Sequence, residues 1–315
     1  MRESPDMSAT RYSPSGIRFI NDLRRDGLDP YARVQATRFV RIQRGAYVAA
    51  SEWSQMDSCQ RYLVRIVATM SALKEVPVLS HHSAAALWGL PIVGSWPGRL
   101  HQIVGPDGGH STTNTIRHQR TAVPAAVLHE GFLVTDVART VVDMARATTF
   151  VSAVATADHA LARRLCTNED LHAALDQAAG GRGSRRARMV IEFADPASES
   201  VGESLSRARM HELHLPAPAL QEPFRDRDGF IGRADFYWPR LRLVGEFDGK
   251  IKYRRDGYAG SSEPEDVVWR EKVREDRLRG LGLGLVRWVW AQALDADSFG
   301  ELLARHGVVR TLTGR

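Results

Sequence analysis

Residues 230–252, Phe-Ile-Gly-Arg-Ala-Asp-Phe-Tyr-Trp-Pro-Arg-Leu-Arg-Leu-Val-Gly-Glu-Phe-Asp-Gly-Lys-Ile-Lys, decide how this chain is read. Two apolar, aromatic-rich runs, Phe230–Trp238 and Leu241–Phe247, have the composition of strands, with a turn at Pro239-Arg240 between them. Side chains alternate between the faces of a strand, so Glu246, Asp248, Lys250 and Lys252 share one face while Phe247 points the other way. Asp235, on the neighbouring strand, can lie beside them. Carboxylates gathered at one sheet end repel or neutralise one another unless a cation holds them. A hard divalent ion such as Mg²⁺, or Mn²⁺, takes oxygen ligands of this kind. Carboxylates, such an ion and a lysine together make a phosphodiester-cleaving site. The plainer alternative is a solvated strand face of alternating charge ending in an Asp-Gly turn.

The flanks place this stretch in a larger order. Upstream, 198–213 reads as an amphipathic helix with Val201, Leu205, Ala208 and Leu213 inward. Glu203 and Arg207 stand one turn apart on it, a spacing that also suits a surface ion pair. Downstream, a helix is expected from about Glu265 to Arg279, stopped by Gly280 and Gly282. A strand at Leu283–Trp290 and a last helix from about Asp297 to Arg305 follow. The order is helix, three strands, helix, strand, helix.

Gly202-Glu-Ser-Leu-Ser-Arg207, Gln221, Arg233-Ala-Asp-Phe-Tyr-Trp238, Val244-Gly-Glu-Phe-Asp-Gly249 with Lys252-Tyr253, Arg270-Glu-Lys-Val-Arg274 and Val286-Arg-Trp288 together resemble a bacterial nuclease-like domain. It is the domain of unknown function related to very-short-patch-repair endonucleases, in the PD-(D/E)xK superfamily, and the likeness covers about residues 196–295. The resemblance implies a restriction-endonuclease-like αβββαβ core. Its catalytic set would be Glu203, Asp235, Glu246, Asp248, Lys250 and Lys252, with Asp235, Glu246 and Asp248 as ligands of Mg²⁺ or Mn²⁺. Ala234 stands where the superfamily has its proline, and either Glu246 or Asp248 can be the second acid. Lys250 and Lys252 remain alternatives for the functional lysine.

The chain of 315 residues has room for two domains and a small third. Its formal charge is +6, with arginine well in excess of lysine, which suits a phosphate-rich partner. Two cysteines, Cys59 and Cys166, fit neither a disulfide framework nor a Cys-rich zinc site, so a cytoplasmic setting is expected. The N-terminus lacks the apolar core of a signal peptide, and no run is long enough to span a bilayer.

In the first two-thirds, residues 1–14 read as a disordered tail. A helix from Ile17, a turn at Asp26-Gly-Leu-Asp-Pro30, a second helix at Tyr31–Thr37 and a hairpin at Phe39–Val48 turning near Gly45 follow the order of a winged helix–turn–helix. Arg41 and Arg44 would then meet phosphates; a small α/β cap with solvated arginines is the alternative. Leu79–Pro91 reads as a helix with Ser80 as N-cap and Gly89 as stop. Its His81 and His82 are adjacent and face different ways, so they read as helix-start residues rather than joint metal ligands. Strands are expected at Leu100–Val104 and Thr115–Gln119, and helices at Asp136–Ala147, Phe150–Arg163 and Asn168–Ala179. The Gly- and Arg-rich 178–188 reads as a hinge.

Arg44-Gly-Ala-Tyr-Val48, Leu79-Ser-His-His-Ser-Ala-Ala-Ala-Leu-Trp-Gly-Leu-Pro91, Val134-Thr-Asp-Val-Ala-Arg-Thr-Val-Val-Asp143 and Ala157-Asp-His-Ala-Leu161 resemble the AbiEi-type antitoxin family over about residues 15–165. That resemblance implies an N-terminal winged helix on promoter DNA and a region opposing a toxin. The expected fold is thus α/β (α+β multidomain). Its parts are a disordered tail (1–14), a winged-helix-like segment (15–50), an AbiEi-like α/β region (51–178), a basic linker or helix (179–195) and the endonuclease-like domain (196–315). The expected partner is nucleic acid, DNA first, met by Arg41, Arg44, Arg207, Arg270 and Arg274; a partner toxin and a homodimer are further partners, and a membrane is not. The functional alternatives are a nuclease, a non-enzymatic antitoxin-like regulator and a toxin-neutralising module.

Overall fold

The computed structural model describes residues 16–29, 38–73, 75–120, 123–178, 180–249 and 264–310. The tail 1–14, the helix expected at Tyr31–Thr37, Lys250 and Lys252 lie outside them. Among the described residues the chain is a mixed α/β protein with three sheets. It divides into two compact units, one of residues 1–148 with 165–192 and one of 149–164 with 193–315. No helix among the described residues is long and apolar enough to cross a membrane.

The first unit opens with β1 (Arg18–Phe19), α1 (Ile20–Arg25), β2 (Phe39–Gln43), β3 (Ala46–Ala49), α2 (Ala50–Gln55) and α3 (Ser58–Met70). The expected hairpin is β2–β3, turning at Gly45 with φ +82°, and β1 pairs with its other edge in the order β1-β3-β2. A capping box starts α3: Asp57 Oδ1 accepts from the Gln60 N–H, and Gln60 Oε1 accepts from the Asp57 N–H, both at 2.8 Å. Val64 and Ala68 of α3 then pack on Ile42, Ala46 and Val48 of the hairpin.

The same unit continues with β4 (Val78–Leu79), α4 (His81–Leu87), β5 (Leu100–Val104), β6 (Thr115–Gln119), β7 (Ala126–His129), β8 (Phe132–Thr135) and α5 (Val137–Ala147). The strands form a sheet ordered β6-β5-β4-β8-β7, in which β5–β6 and β4–β8 run parallel. Gly89 ends the last turn after α4 with φ +67°. Ser80 precedes α4 as expected, but its hydroxyl meets His81 Nδ1 at 2.9 Å instead of capping a backbone N–H. In α5, Asp143 is fully buried and ion-paired with Arg139 at 3.1 Å and Arg120 at 3.8 Å. Helix α6 (Phe150–Ala162) belongs to the second unit, and the chain returns for α7 (Asn168–Gln177) and most of α8 (Ser184–Phe193).

The second unit adds α9 (Val201–Glu212), β9 (Ala219–Asp226), β10 (Gly229–Trp238), β11 (Leu243–Phe247), α10 (Pro264–Gly280), β12 (Gly284–Trp288), α11 (Trp290–Leu294) and α12 (Ala296–Ala304). The sheet order is β12-β11-β10-β9, with β11–β12 parallel and the other pairs antiparallel. Helix, three strands, helix, strand, helix is the order read from the sequence, with α11 as an added turn. One face carries Phe236, Trp238 and Trp288; Trp288 Nε1–H donates to Ser206 Oγ of α9 at 2.7 Å and its ring meets Phe299 of α12. Gly245 sits beneath these rings, where a Cβ would come within 2.7 Å of Trp288 and 2.9 Å of Trp238. On the other side, Leu278 of α10 packs with Val244, Leu283 and Tyr237.

Candidate functional site

The sheet register brings the acidic residues into a row. Phe236 pairs with Gly245, so Asp235 and Glu246 are the next residues along on β10 and β11, and Glu246 pairs with Arg287 of β12. Asp235 Oδ2 accepts the Phe247 N–H at 2.9 Å, tying the row to the end of β11. Helix α9 supplies Glu203 from its first turn, where the Glu203 N–H donates to the N-cap Ser200 Oγ at 3.2 Å. Glu203 Oε2 accepts from the Glu199 N–H at 2.9 Å and from Gln221 Nε2 at 3.0 Å. Gln221, in β9, has φ +51°, a left-handed backbone that strains a non-glycine residue. The end of α9 comes this close because residue 202 is glycine: a Cβ there would lie 1.8 Å from the Phe247 ring.

The electrostatics report the crowding. Burial, chiefly, with the neighbouring charges of Glu203 and Glu246, pushes the Asp235 carboxyl up to about 6, against the Phe247 hydrogen bond and Arg274. Glu246 is neutralised differently. Arg274 Nη1 stands 2.5 Å from its Oε1, and Arg287 Nε–H donates to its Oε2 at 2.9 Å. Arg287 is in turn bound to Glu271 and, at 3.2 Å, to Glu275, both on α10. Burial opposes the charge of Arg287, yet the Glu246 hydrogen bond and these carboxylates hold its pKa raised.

Glu203, Asp235 and Glu246 offer the oxygen donors a hard divalent ion takes, and the two glutamates add to the burial that raises Asp235. They fit the ion in kind. Their arrangement is closed by Arg274 and Arg287, and among the described residues no three His, Cys, Asp or Glu side chains are gathered to hold a metal. Asp248 follows the last residue of β11, and its N–H extends the parallel ladder to the Trp288 carbonyl at 2.8 Å.

Two sequence expectations are corrected. Glu203 and Arg207 do not form a surface ion pair: both are about nine-tenths buried and have different partners. Arg207, expected to face nucleic acid, donates through Nη2 to both oxygens of the buried Asp158 at 2.8 Å and through Nη1 to the Phe193 carbonyl at 2.8 Å. Asp158 comes from α6, which covers this side of α9. Of the other arginines, Arg41, Arg44 and Arg270 are exposed, while Arg274 is turned onto Glu246.

The first unit contains a cluster that sequence reasoning missed. His81 and His82 of α4 meet His101 of β5 and His118 of β6. The His81 and His118 rings stack at 3.6 Å between centroids, and His101 Nδ1 lies 3.0 Å from His118 Nε2. His82 Nδ1 and His101 Nε2 are buried without a hydrogen-bond partner. Burial is the main force lowering all four, His101 to about 3 and His82 and His118 to about 4, with Arg99 and Arg120 adding like charge. The adjacent pair His81-His82 was the visible signal; the partners arrive through the parallel β5–β6 register, which pairs His101 with Ile116 and sets His118 two residues further on.

No protein-family profile matches the chain. The chain is 34% identical over 175 residues to an uncharacterized protein of Mycobacterium tuberculosis, in strain CDC 1551 / Oshkosh and equally in strain H37Rv. The match takes in 56% of this chain and 61% of each relative, so it spans about three-fifths of the curated proteins it resembles.

Proposed function

We propose that this chain is a DNA-binding protein whose second unit is a PD-(D/E)xK-type nuclease domain acting on phosphodiesters with Mg²⁺ or Mn²⁺. The observation that carries the reading is the Asp235–Glu246 row on adjacent strands with Glu203 brought beside it by α9. Glu203, Asp235 and Glu246, which are not gathered around an ion while Arg274 and Arg287 hold Glu246, would have to close on it for binding, with Asp248 at the strand end as the alternative second acid. When bound, a divalent ion supplies charge that stabilises the attacked phosphate and acidifies a water. The chain's own groups do the positioning. Gln221 orients Glu203, the Phe247 N–H orients Asp235, and Arg270 and Arg274 of α10 meet the phosphate backbone. Lys250 or Lys252 would neutralise developing charge. The first fifty residues are read as a winged-helix-like DNA contact through Arg41 and Arg44, and the free Cys59 and Cys166 suit a reducing cytoplasm.

Incubation of the full chain with Mg²⁺ or Mn²⁺ and single- and double-stranded DNA and RNA tests the reading. Cleavage is expected, and Asp235→Asn should reduce it on the order of 100-fold or more. A wild type that cuts none of these substrates, or an Asp235→Asn that cuts equally well, refutes it.

A second reading is an antitoxin-like regulator, or a toxin-neutralising module, whose nuclease fold binds without cutting. The pairing of Glu246 with two arginines favours it. Specific DNA binding in EDTA with no cleavage in either metal would select it.

A further inference from the structure

We infer that Arg274 and Arg287 form a latch on Glu246, which keeps a divalent cation out of the acidic site until a polyanion draws Arg274 away. The inference rests on the nuclease reading and adds its regulation. The two guanidiniums occupy the Glu246 oxygens that a cation would need, and they are themselves shared with Glu271 and Glu275. The two arms of the latch are anchored differently. Arg287 comes from the strand beside Glu246 and is held from above by Glu271 and Glu275. Arg274 comes from α10, shares Glu271 with Arg287 at 3.5 Å, is also bound at 2.9 Å to the Arg233 carbonyl, and remains partly exposed. One helical turn before it stands the exposed Arg270. A phosphate backbone lying along α10 over Arg270 therefore reaches Arg274 next. Guanidinium pairs with phosphate in the same two-pronged geometry it uses with carboxylate, so phosphate can replace Glu246 as its partner. Glu246 then keeps Arg287 alone, and its Oε1 is free to face a cation beside Asp235 and Glu203.

Mn²⁺ binding to the full chain without nucleic acid, followed by electron paramagnetic resonance, tests the exclusion. Arg274→Ala and Arg287→Ala should each bind Mn²⁺ about tenfold or more tightly than wild type, a shift typical of removing one charged neighbour. The gain should vanish when Asp235→Asn is added. Arg274→Ala alone suffices if Arg287→Ala does not fold. Duplex binding in EDTA tests the competition: Glu246→Gln, which releases Arg274 and Arg287 from this carboxylate, should bind a short duplex more tightly than Asp235→Asn, which removes the same charge one strand away. Equal Mn²⁺ affinity in wild type and variants overturns the latch and leaves the nuclease reading to its cleavage assay. Equal duplex affinity of the two carboxylate variants also overturns it. Absence of Mn²⁺ binding in every variant overturns the latch and the metal-dependent reading together.

Discussion

At Asp235, burial and the charges of Glu203 and Glu246 raise the carboxyl from an ordinary 3.8 to about 6. A group whose folded pKa is raised stabilises the fold fully below its unfolded pKa and loses that contribution as pH rises through the folded value. Asp235 is therefore a burden above pH 6. Asp235→Asn should stabilise the protein by about 1–3 kcal/mol at pH 8, and the gain should disappear near pH 4, as read from denaturant melts at the two pH values. Burial also raises Asp158, but there Arg207 compensates the carboxylate. Arg207→Met strands a buried carboxylate and should destabilise the second unit by about 3–5 kcal/mol, with part of that recovered in Asp158→Asn/Arg207→Met. The sequence displayed Glu203 and Arg207 at a spacing that ordinarily marks a surface pair. It did not display that α6, some forty residues earlier, packs over them. By contrast Asp235 and Glu246 were legible, because strand alternation and an antiparallel return are local rules.

Among elements, legibility followed the same line. Strands β5 and β6 and helices α5, α6 and α7 match their expected bounds closely, since each carries a strong local pattern and several have side-chain caps. The β7–β8 hairpin was missed. Its strands have four residues each, and the turn places Glu130 at φ +48° and Gly131 at φ +82°, a tight turn without the Asn-Gly or Asp-Gly signature. The histidine cluster depends on three elements meeting and so was invisible too. Its groups have depressed folded pKa values, so their contribution is present above the unfolded value near 6.5 and is lost as pH falls toward 4 and 3. Arg99 and Arg120 face the cluster and sharpen this dependence. The melting temperature of the first unit should fall by roughly 10 °C or more between pH 7 and pH 4.5, and His118→Gln should flatten that slope. A transition that ignores pH over this range would show that the imidazoles titrate freely.

For the molecule as a whole, the formal charge of +6 means that the proposed nucleic-acid binding should depend on salt. Raising salt from 50 to 200 mM should weaken duplex binding by about tenfold or more, read by fluorescence anisotropy, if several phosphates are neutralised. A flat salt response would remove the backbone contacts from the proposal.

The path of the chain between its two units carries a further consequence. It leaves the first unit after residue 148, returns at 165 and departs again after 192. During synthesis, then, neither unit can be completed as a contiguous block: the first waits for α7 and α8, and α6 waits for everything from residue 193 onward. A fragment beginning at residue 196 would lack Asp158 and leave Arg207 with no carboxylate to meet. The two halves thus cannot be exchanged between proteins as cassettes cut at a single point. A fragment that preserves the second unit must therefore carry α6, with Asp158, along with the C-terminal half.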